Sequence, residues 1–364
     1  MRSIVSAILF ALALAWSCRV ATAVAAGGGG CTTTLAAGDD VQQAIDGLPA
    51  GPAPRTVCLV AGEFRLARHL TIDRDGVRLR GTGPSTILRL AEGVQSAIVV
   101  VGDPAHEVPS HPVSEVAIER LRIVGGGRSG PEFDVEAPYL SNSAVVIRAG
   151  RHVVLGDLEV SDCRSACIVT ERDTRDLTIE RTSIQGSTWD GISLNRTGRA
   201  RIVGNTIRGN TAAGVTVEHL EDSLVADNTI ADNGSHGVYL SDSYRNRFLR
   251  NRFMHNVNAG VFVTCAVRYR DPGPVLCWPD SMSRANTFED NTFVGNRRAY
   301  IIAADAAANC TGRDVVPNLS RGDRFVDQPG IEQRAEAFGR CLHAGAERPF
   351  APHPRPGTRP PQVR

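Results

Sequence analysis

The chain has 364 residues, 42% hydrophobic and 22% charged, with a formal net charge of +1. Such a composition supplies a globular core and carries no long block of one sign, so non-specific nucleic-acid binding has no electrostatic support. All 40 basic residues are arginine, which excludes any mechanism that needs a lysine base or Schiff base.

The N-terminus reads as an address label. Arg2 is followed by an apolar run over residues 4–16 and then by small residues as far as Ala26. This is a charged n-region, an apolar stretch too short to span a bilayer, and A-x-A-like cleavage sites, which predicts a secretory signal peptide over residues 1–26. Cys18 leaves a lipoprotein leader as the alternative. No later segment is long and apolar enough to cross a membrane, so the protein is expected to be periplasmic or secreted. Of nine cysteines, eight remain once Cys18 leaves with the signal, an even number in an exported chain. Sequence does not fix their connectivity. Pairing neighbours (Cys31 with Cys58, Cys163 with Cys167, Cys265 with Cys277, Cys310 with Cys341) is the simplest arrangement.

The stretch "DDVQQAIDGLP" places Val41, Ile45 and Leu48 on one helical stripe, with Asp40 as N-cap and Gln43 at a capping-box position. It is predicted to plug the N-terminal end of a strand-rich body. From "RTVCLV" onward short apolar alternations begin, and the chain then falls into rows. Residues 175–197, 198–220, 221–243 and 244–266 form consecutive 23-residue rows, and 284–306 fits again after an insertion. A 24-residue row from Arg151 precedes them, and another starts at Ser114. Self-similarity at such a period means a solenoid. Apolar residues alternate within short runs split by Asn and Gly (Val215, Val217; Val238, Leu240), which is a strand signal. About three strands per row, each pairing with its counterpart one row on, wrap into a β-helix.

Two Asn columns recur: Asn205, Asn228, Asn251 and Asn291, and Asn210, Asn233, Asn256 and Asn296. They are read as corner residues adopting the left-handed conformation, with side chains stacked into ladders. The Gly column Gly191, Gly214, Gly237, Gly260 is likewise read as a turn position. The Pro-rich C-terminus, 344–364, is expected to be disordered, leaving one solenoid domain of about nine coils over 31–340.

The helix, "VCLVAGEFRL", "VRLRGTG" and rows such as "DSLVADNTIADNGSHGVYLSDS" resemble the right-handed parallel β-helix proteins of the pectate-lyase-like superfamily, over roughly residues 39–305. The resemblance implies an all-β, single-stranded right-handed parallel β-helix with an N-terminal capping helix. It also implies a substrate groove along the strand after the repeat Gly. Alternation puts Ile192 and Leu194 inward and Ser193 and Asn195 outward. One outward column then reads Glu171, Asn195, Glu218, Ser241, Thr264. The next reads Arg172, Arg196, His219, Asp242, Cys265. Asp190 and His236 precede the strand, and Tyr239 lies on it.

Titratable groups this dense can shift one another's pKa. On an acidic polysaccharide, β-elimination needs a cation at the carboxylate, a base for the adjacent proton and an acid at the leaving oxygen. Arg172 and Arg196 are read as the electrophile, His236 or His219 as the base, Tyr239 as acid or base, with Glu218, Asp190 and Asp242 alongside. Glu171, Asn195 and Glu218 offer oxygens to a calcium ion, as the resemblance to some alginate and chondroitin lyases implies. The competing reading is a surface charge lattice of Arg172 with Glu171 and Arg196 with Glu218. Tyr269 and Trp278, in a disulfide-closed insertion, are read as sugar-stacking residues.

No named activity is matched: Leu194 follows Asp190-Gly191 where pectate lyases carry an Asp, Asp271-Pro272 lacks the histidine of the epimerase motif, and lysine is absent. The leading expectation is a monomeric lyase or epimerase of uronate polysaccharide. The alternatives are a non-catalytic carbohydrate-binding module and a NosD-like structural periplasmic protein.

Overall fold

A computed structural model describes residues 30–51, 55–127, 129–269, 276–278, 281–303, 315–329, 331–332 and 341–344. The expected signal peptide, Cys310 and residues 345–364 lie outside these. Within the unit that begins at Cys31, the chain is almost entirely short strands arranged in three parallel sheets of twelve, ten and thirteen strands among the described residues. Neighbours in each sheet are counterparts from successive coils, such as Ile192 against Val215 and Val238 against Val261. The expected β-helix is therefore observed. It has more coils than the nine expected, because the first sheet counts twelve strands from Thr33–Leu35 to Leu342–Ala344. The extra coils lie where row length departs from 23. That last strand also carries the fold past residue 340, into the first residue of the expected tail.

One helix is present among the described residues, Val41–Asp46. Asp40 caps it, its carboxylate accepting from the Gln43 amide at 3.0 Å. Val41, Ile45 and Leu48 are buried in the same apolar cluster that runs through the coils to Leu342. No helix among the described residues is long and apolar enough to cross a membrane. Disulfides join Cys31 to Cys58, Cys163 to Cys167 and Cys265 to Cys277, and Cys341 is disulfide-bonded too.

The Asn columns are ladders, as expected, but the amides do not sit at the left-handed positions. Those belong to the residue before each Asn: Gly204, Asp227, Arg250 and Asp290 in one column, Gly209, Asp232, His255 and Gly295 in the other. The preceding residue turns the chain, and its side chain points outward. Its Asn then points inward, fully buried, and is satisfied on every side. Asn228 Nδ2 donates to Asn251 Oδ1 at 2.9 Å and to the Ile202 carbonyl at 2.8 Å, while its Oδ1 accepts from Asn205. Asp323 ends this ladder beyond Asn291, and Gln328 ends the second beyond Asn296. A third ladder runs from Asn246 through Asn286 to Asn318. It is hidden in the sequence because the insertions break its period.

The repeat Gly residues also differ from expectation. None has positive φ. A Cβ at Gly237 would lie 2.5 Å from the Gly260 carbonyl and 2.9 Å from the Phe253 ring, so the column is glycine because coils approach closely there.

Outward left-handed residues form ion pairs one coil apart: Arg199 with Asp176, Arg245 with Asp222, and Arg250 with Asp227, each through two guanidinium nitrogens at 2.7–2.8 Å. Exposed pairs of this kind contribute little, whereas an orphaned buried amide partner costs about 1–3 kcal/mol. Asn228→Ala is therefore expected to lower unfolding free energy by about 2–4 kcal/mol, since it strands more than one buried group. Arg250→Ala should cost under about 1 kcal/mol. Denaturant titration of the two variants checks the order, and equal losses would refute it.

Candidate functional site

The third sheet carries the outward column from Asn195 onward in the register read from the sequence. Between Glu171 and Asn195 the ladder breaks, pairing Thr170 with Leu194 and resuming one residue out of step at Thr174 with Thr197. Arg148 pairs with Glu171, Asn195 with Glu218, Glu218 with Ser241 and Ser241 with Thr264. Ser241 and Thr264 are nonetheless buried. Ser283, returning from the disulfide-closed insertion after the 244–266 row, packs back on this rung, its hydroxyl donating to the Thr264 carbonyl at 3.2 Å. The open part of the column thus ends at Glu218.

Glu171 is not free. Its Oε1 accepts from Arg148 Nε at 2.7 Å, and Arg148 is fully buried. The same guanidinium donates to the carbonyls of Asp103, His106 and Glu107, pinning that segment to the sheet. Burial pushes the Glu171 carboxyl up, with Arg148 and then Arg172 pulling it back. Arg172 itself reaches Glu107 at 3.5 Å, so the expected charge lattice has different partners. The calcium set fits poorly. Calcium takes six to eight oxygens, Glu171 is tied to a guanidinium, and Asn195 and Glu218 are left as two exposed donors. No cluster of three or more His, Cys, Asp or Glu suited to a metal occurs among the described residues.

The remaining expected residues separate into two groups at opposite ends of the strands. At the strand starts, Asp190 is 2% exposed. One carboxylate oxygen accepts from the Ala213 amide at 2.9 Å. Burial raises its pKa to about 6, opposed by the Ala213 amide and the Thr216 hydroxyl. His236, two coils on, stacks on Phe262 with centroids 4.5 Å apart, and Tyr239 lies 5.3 Å from the same ring. Burial lowers His236 to about 4, and its Nδ1 is buried without a partner. A neutral imidazole with so low a pKa is a weak base. Beside Asp190, Trp189 stands 53% exposed, an aromatic surface that the repeat pattern does not mark.

At the strand ends, Arg196, His219 and Asp242 each adopt the left-handed conformation, which swings their side chains out of the pleat. His219 Nδ1 is 3.2 Å from Asp242 Oδ2, one coil on, and His219 Nε2 is 3.0 Å from the Tyr244 hydroxyl. An ionised carboxylate only accepts, so Nδ1 carries the proton. With Nδ1 as donor, Nε2 of the neutral tautomer is the acceptor for the phenol. Burial, then Glu221 and Asp242, raise the Tyr244 pKa, so the phenol keeps its proton. The guanidinium carbons of Arg245 and Arg284 lie 5.0 and 5.8 Å from the Tyr244 ring centroid. Tyr244 is absent from the sequence-predicted site because it opens the next row. Its bridges to Glu221 and Arg284 are the signal that places it on this face. In the disulfide-closed insertion Trp278 is 52% exposed, and the side chain of Tyr269 lies outside the described residues.

With the coils and this face described, the chain is a right-handed parallel β-helix protein. The right-handed β-helix region model matches residues 143–316. Among solved structures, the chain is similar to the alginate lyase of Paenibacillus sp. FPU-7, at 14% identity and a TM-score of 0.58, covering 86% of this chain and 100% of that one. It is also similar to the polygalacturonase of Erwinia carotovora (12%, TM-score 0.54, covering 86% and 96%). A third likeness is to the A-module of the Azotobacter vinelandii mannuronan C-5 epimerase AlgE4 (16%, TM-score 0.52, covering 84% and 95%). At these identities the likeness shows the fold. A search of curated proteins finds no match.

Asp190 and His236 give opposite pH trends. Asp190, raised to about 6, binds more protons folded than unfolded, so its stabilisation is lost as pH rises from about 4 to 6. His236, lowered to about 4, binds fewer, so its stabilisation is lost as pH falls from about 6.5 to 4. In the wild type the two largely cancel. Chemical denaturation between pH 4 and 6.5 should show stability rising with pH in Asp190→Asn and falling with pH in His236→Phe. The same slope in both variants would show that these groups are not buried as described.

Proposed function

We propose that the protein acts on an acidic polysaccharide at the strand-end cluster, with His219, Asp242 and Tyr244 as the proton-handling group. The observation that carries this reading is the continuous hydrogen-bonded line from Asp242 through His219 to the Tyr244 hydroxyl, flanked by arginines on an open sheet face. The β-helix enzymes to which the fold is similar include an alginate lyase and a mannuronan C-5 epimerase, which supports a uronate substrate. The disulfides fit an oxidising compartment, in keeping with a periplasmic or secreted protein.

The chemistry follows from the charges. The exposed Arg196 and Arg284 hold the substrate carboxylate and offset the charge that grows as the adjacent C–H bond breaks. Tyr244 takes that proton as it passes its own to His219, and Asp242 holds the imidazolium that forms. In elimination the electron pair forms a C=C bond, the glycosidic C–O bond breaks, and the phenol returns a proton to the leaving oxygen. In epimerisation the carbanion is reprotonated on its other face by a water molecule, and His219 releases its extra proton to solvent. His219, the second of the two histidines weighed from the sequence, takes the base's part, and His236 with Tyr239 and Phe262 forms an apolar wall. The donor set at Glu171, Asn195 and Glu218 contributes no step.

Incubating the protein with alginate, polygalacturonate and glycosaminoglycans separates the outcomes. New ultraviolet absorbance marks elimination, and deuterium uptake from solvent without chain cleavage marks epimerisation. Tyr244→Phe and His219→Ala are expected to lower turnover by about 10²–10⁴-fold, while a chelator leaves it unchanged. Full turnover in both variants would remove this cluster from the chemistry. Binding without turnover, lost in Trp278→Ala, would establish a binding module instead.

A further inference from the structure

Past the strand-end cluster the chain turns onto the first sheet, where the corner carries an open groove of about 380 Å³. That volume is within the range of small-ligand sites. Ala200 and Ser223 are buried beneath the groove, and Leu224 is half-buried in it. The other lining groups are charged: Arg199 and Arg201 on one coil, Asp222 on the next, Arg245 and Arg247 on the third. The register sets this pattern. Arg201 stands opposite Leu224, and Leu224 opposite Arg247, so the two arginines lie about 10 Å apart at one strand spacing per coil. Arg199, Asp222 and Arg245 hold the left-handed corner positions two residues earlier.

Three of the four cations are engaged at the surface. Arg199 bonds Asp176 and Arg245 bonds Asp222, each through two nitrogens at 2.7–2.8 Å, and Arg247 Nη2 is 3.5 Å from Glu289. Arg201 is exposed and has no partner among the described residues. Arg175 shares Glu221 with Arg245, and Arg321 shares Glu289 with Arg247. Six arginines thus meet four carboxylates, which leaves two positive charges in excess. Exposed ion pairs contribute little, so an incoming carboxylate displaces Glu289 from Arg247 at small cost. The planar edge of Arg201 suits a carboxylate bidentately and is already in solvent. The groove also reaches the reaction cluster. Arg245 lines it, and the guanidinium carbon of Arg245 is 5.0 Å from the Tyr244 ring centroid.

We infer that this groove is a subsite for the uronate units next to the reacting one, with Arg201 as its principal carboxylate-binding group and Arg247 as the second. The inference deepens the acidic-polysaccharide reading and rests on it. The polysaccharide then rounds the corner of the coil. Its reacting unit meets His219, Asp242 and Tyr244 at the end of the third sheet, and its neighbours lie over Leu224 on the first sheet. A substrate must therefore extend past the reacting unit on that side to bind tightly.

The test is calorimetric titration of the full chain with hexasaccharides of mannuronate and of galacturonate, a neutral galactose hexasaccharide and inorganic phosphate. Wild type, Arg201→Gln, Arg247→Gln and Arg208→Gln are compared. Arg208 is an exposed arginine on the second sheet, so its loss lowers the net charge equally but away from the groove. Arg201→Gln is expected to weaken uronate binding about tenfold, as for the loss of one charge-assisted contact. Arg247→Gln should weaken it less, and Arg208→Gln should not change it. Neutral-sugar binding and the melting temperature should stay as in wild type. In turnover Arg201→Gln should raise KM with kcat retained, whereas Tyr244→Phe lowers kcat, so the subsite and the reaction cluster fail separately. Unchanged uronate binding in both Arg201→Gln and Arg247→Gln would overturn the subsite, even with Tyr244→Phe inactive. Equal weakening by Arg208→Gln would reduce the effect to overall charge and overturn it too. Arg201-dependent binding of phosphate but of no uronate would overturn the sugar assignment.

Discussion

The constraint on which the rest depends is that residues one coil apart lie over one another in a parallel ladder. The buried asparagines enforce it. Each amide bonds its counterpart side chain on the next coil and a backbone carbonyl on the previous one, so a coil out of register would strand several buried polar groups at once. At about 1–3 kcal/mol for each group, a slip of one residue costs more than any exposed ion pair on the outer corners returns. The apolar interior, continuous from Val41 to Leu342, supplies the driving force. The ladders fix the register.

From that register the proposed site is assembled by position alone. His219 and Asp242 are 23 residues apart in sequence and a hydrogen bond apart in space. Left-handed backbone at both residues turns their side chains off the strand toward one another, and the bridge of Tyr244 to Glu221 brings the phenol onto the same corner. The coil corners thus serve two ends. Where Arg and Asp occupy successive left-handed positions, they close surface ion pairs. Where His219 and Asp242 do so, they join with the neighbouring Tyr244 in a hydrogen-bonded line.

The repeat made the three-strand coil, the inward alternation and the outward columns legible, because a period of 23 with two-residue alternation admits few foldings. What stayed hidden depended on contacts the period does not encode. Asn tolerates the left-handed turn expected of it, yet the preceding residue makes that turn, and the Asn is needed for its inward-facing amide. Arg148 sits in the same column as Glu171, but its hold on residues 103–107 comes from the loop that carries them rather than from the repeat. In sequence His236 is as good a base as His219, and only its burial against Phe262 separates them.

The proposed chemistry depends on the line from Asp242 through His219 to Tyr244. Its most direct test is nitrogen-15 NMR of the His219 ring. The predicted spectrum has a protonated Nδ1 held by Asp242 and an unprotonated Nε2 shifted by the phenol. Asp242→Asn should perturb the first nitrogen and Tyr244→Phe the second. A His219 ring whose two nitrogens respond to neither substitution would contradict the relay and the placement of chemistry at this corner.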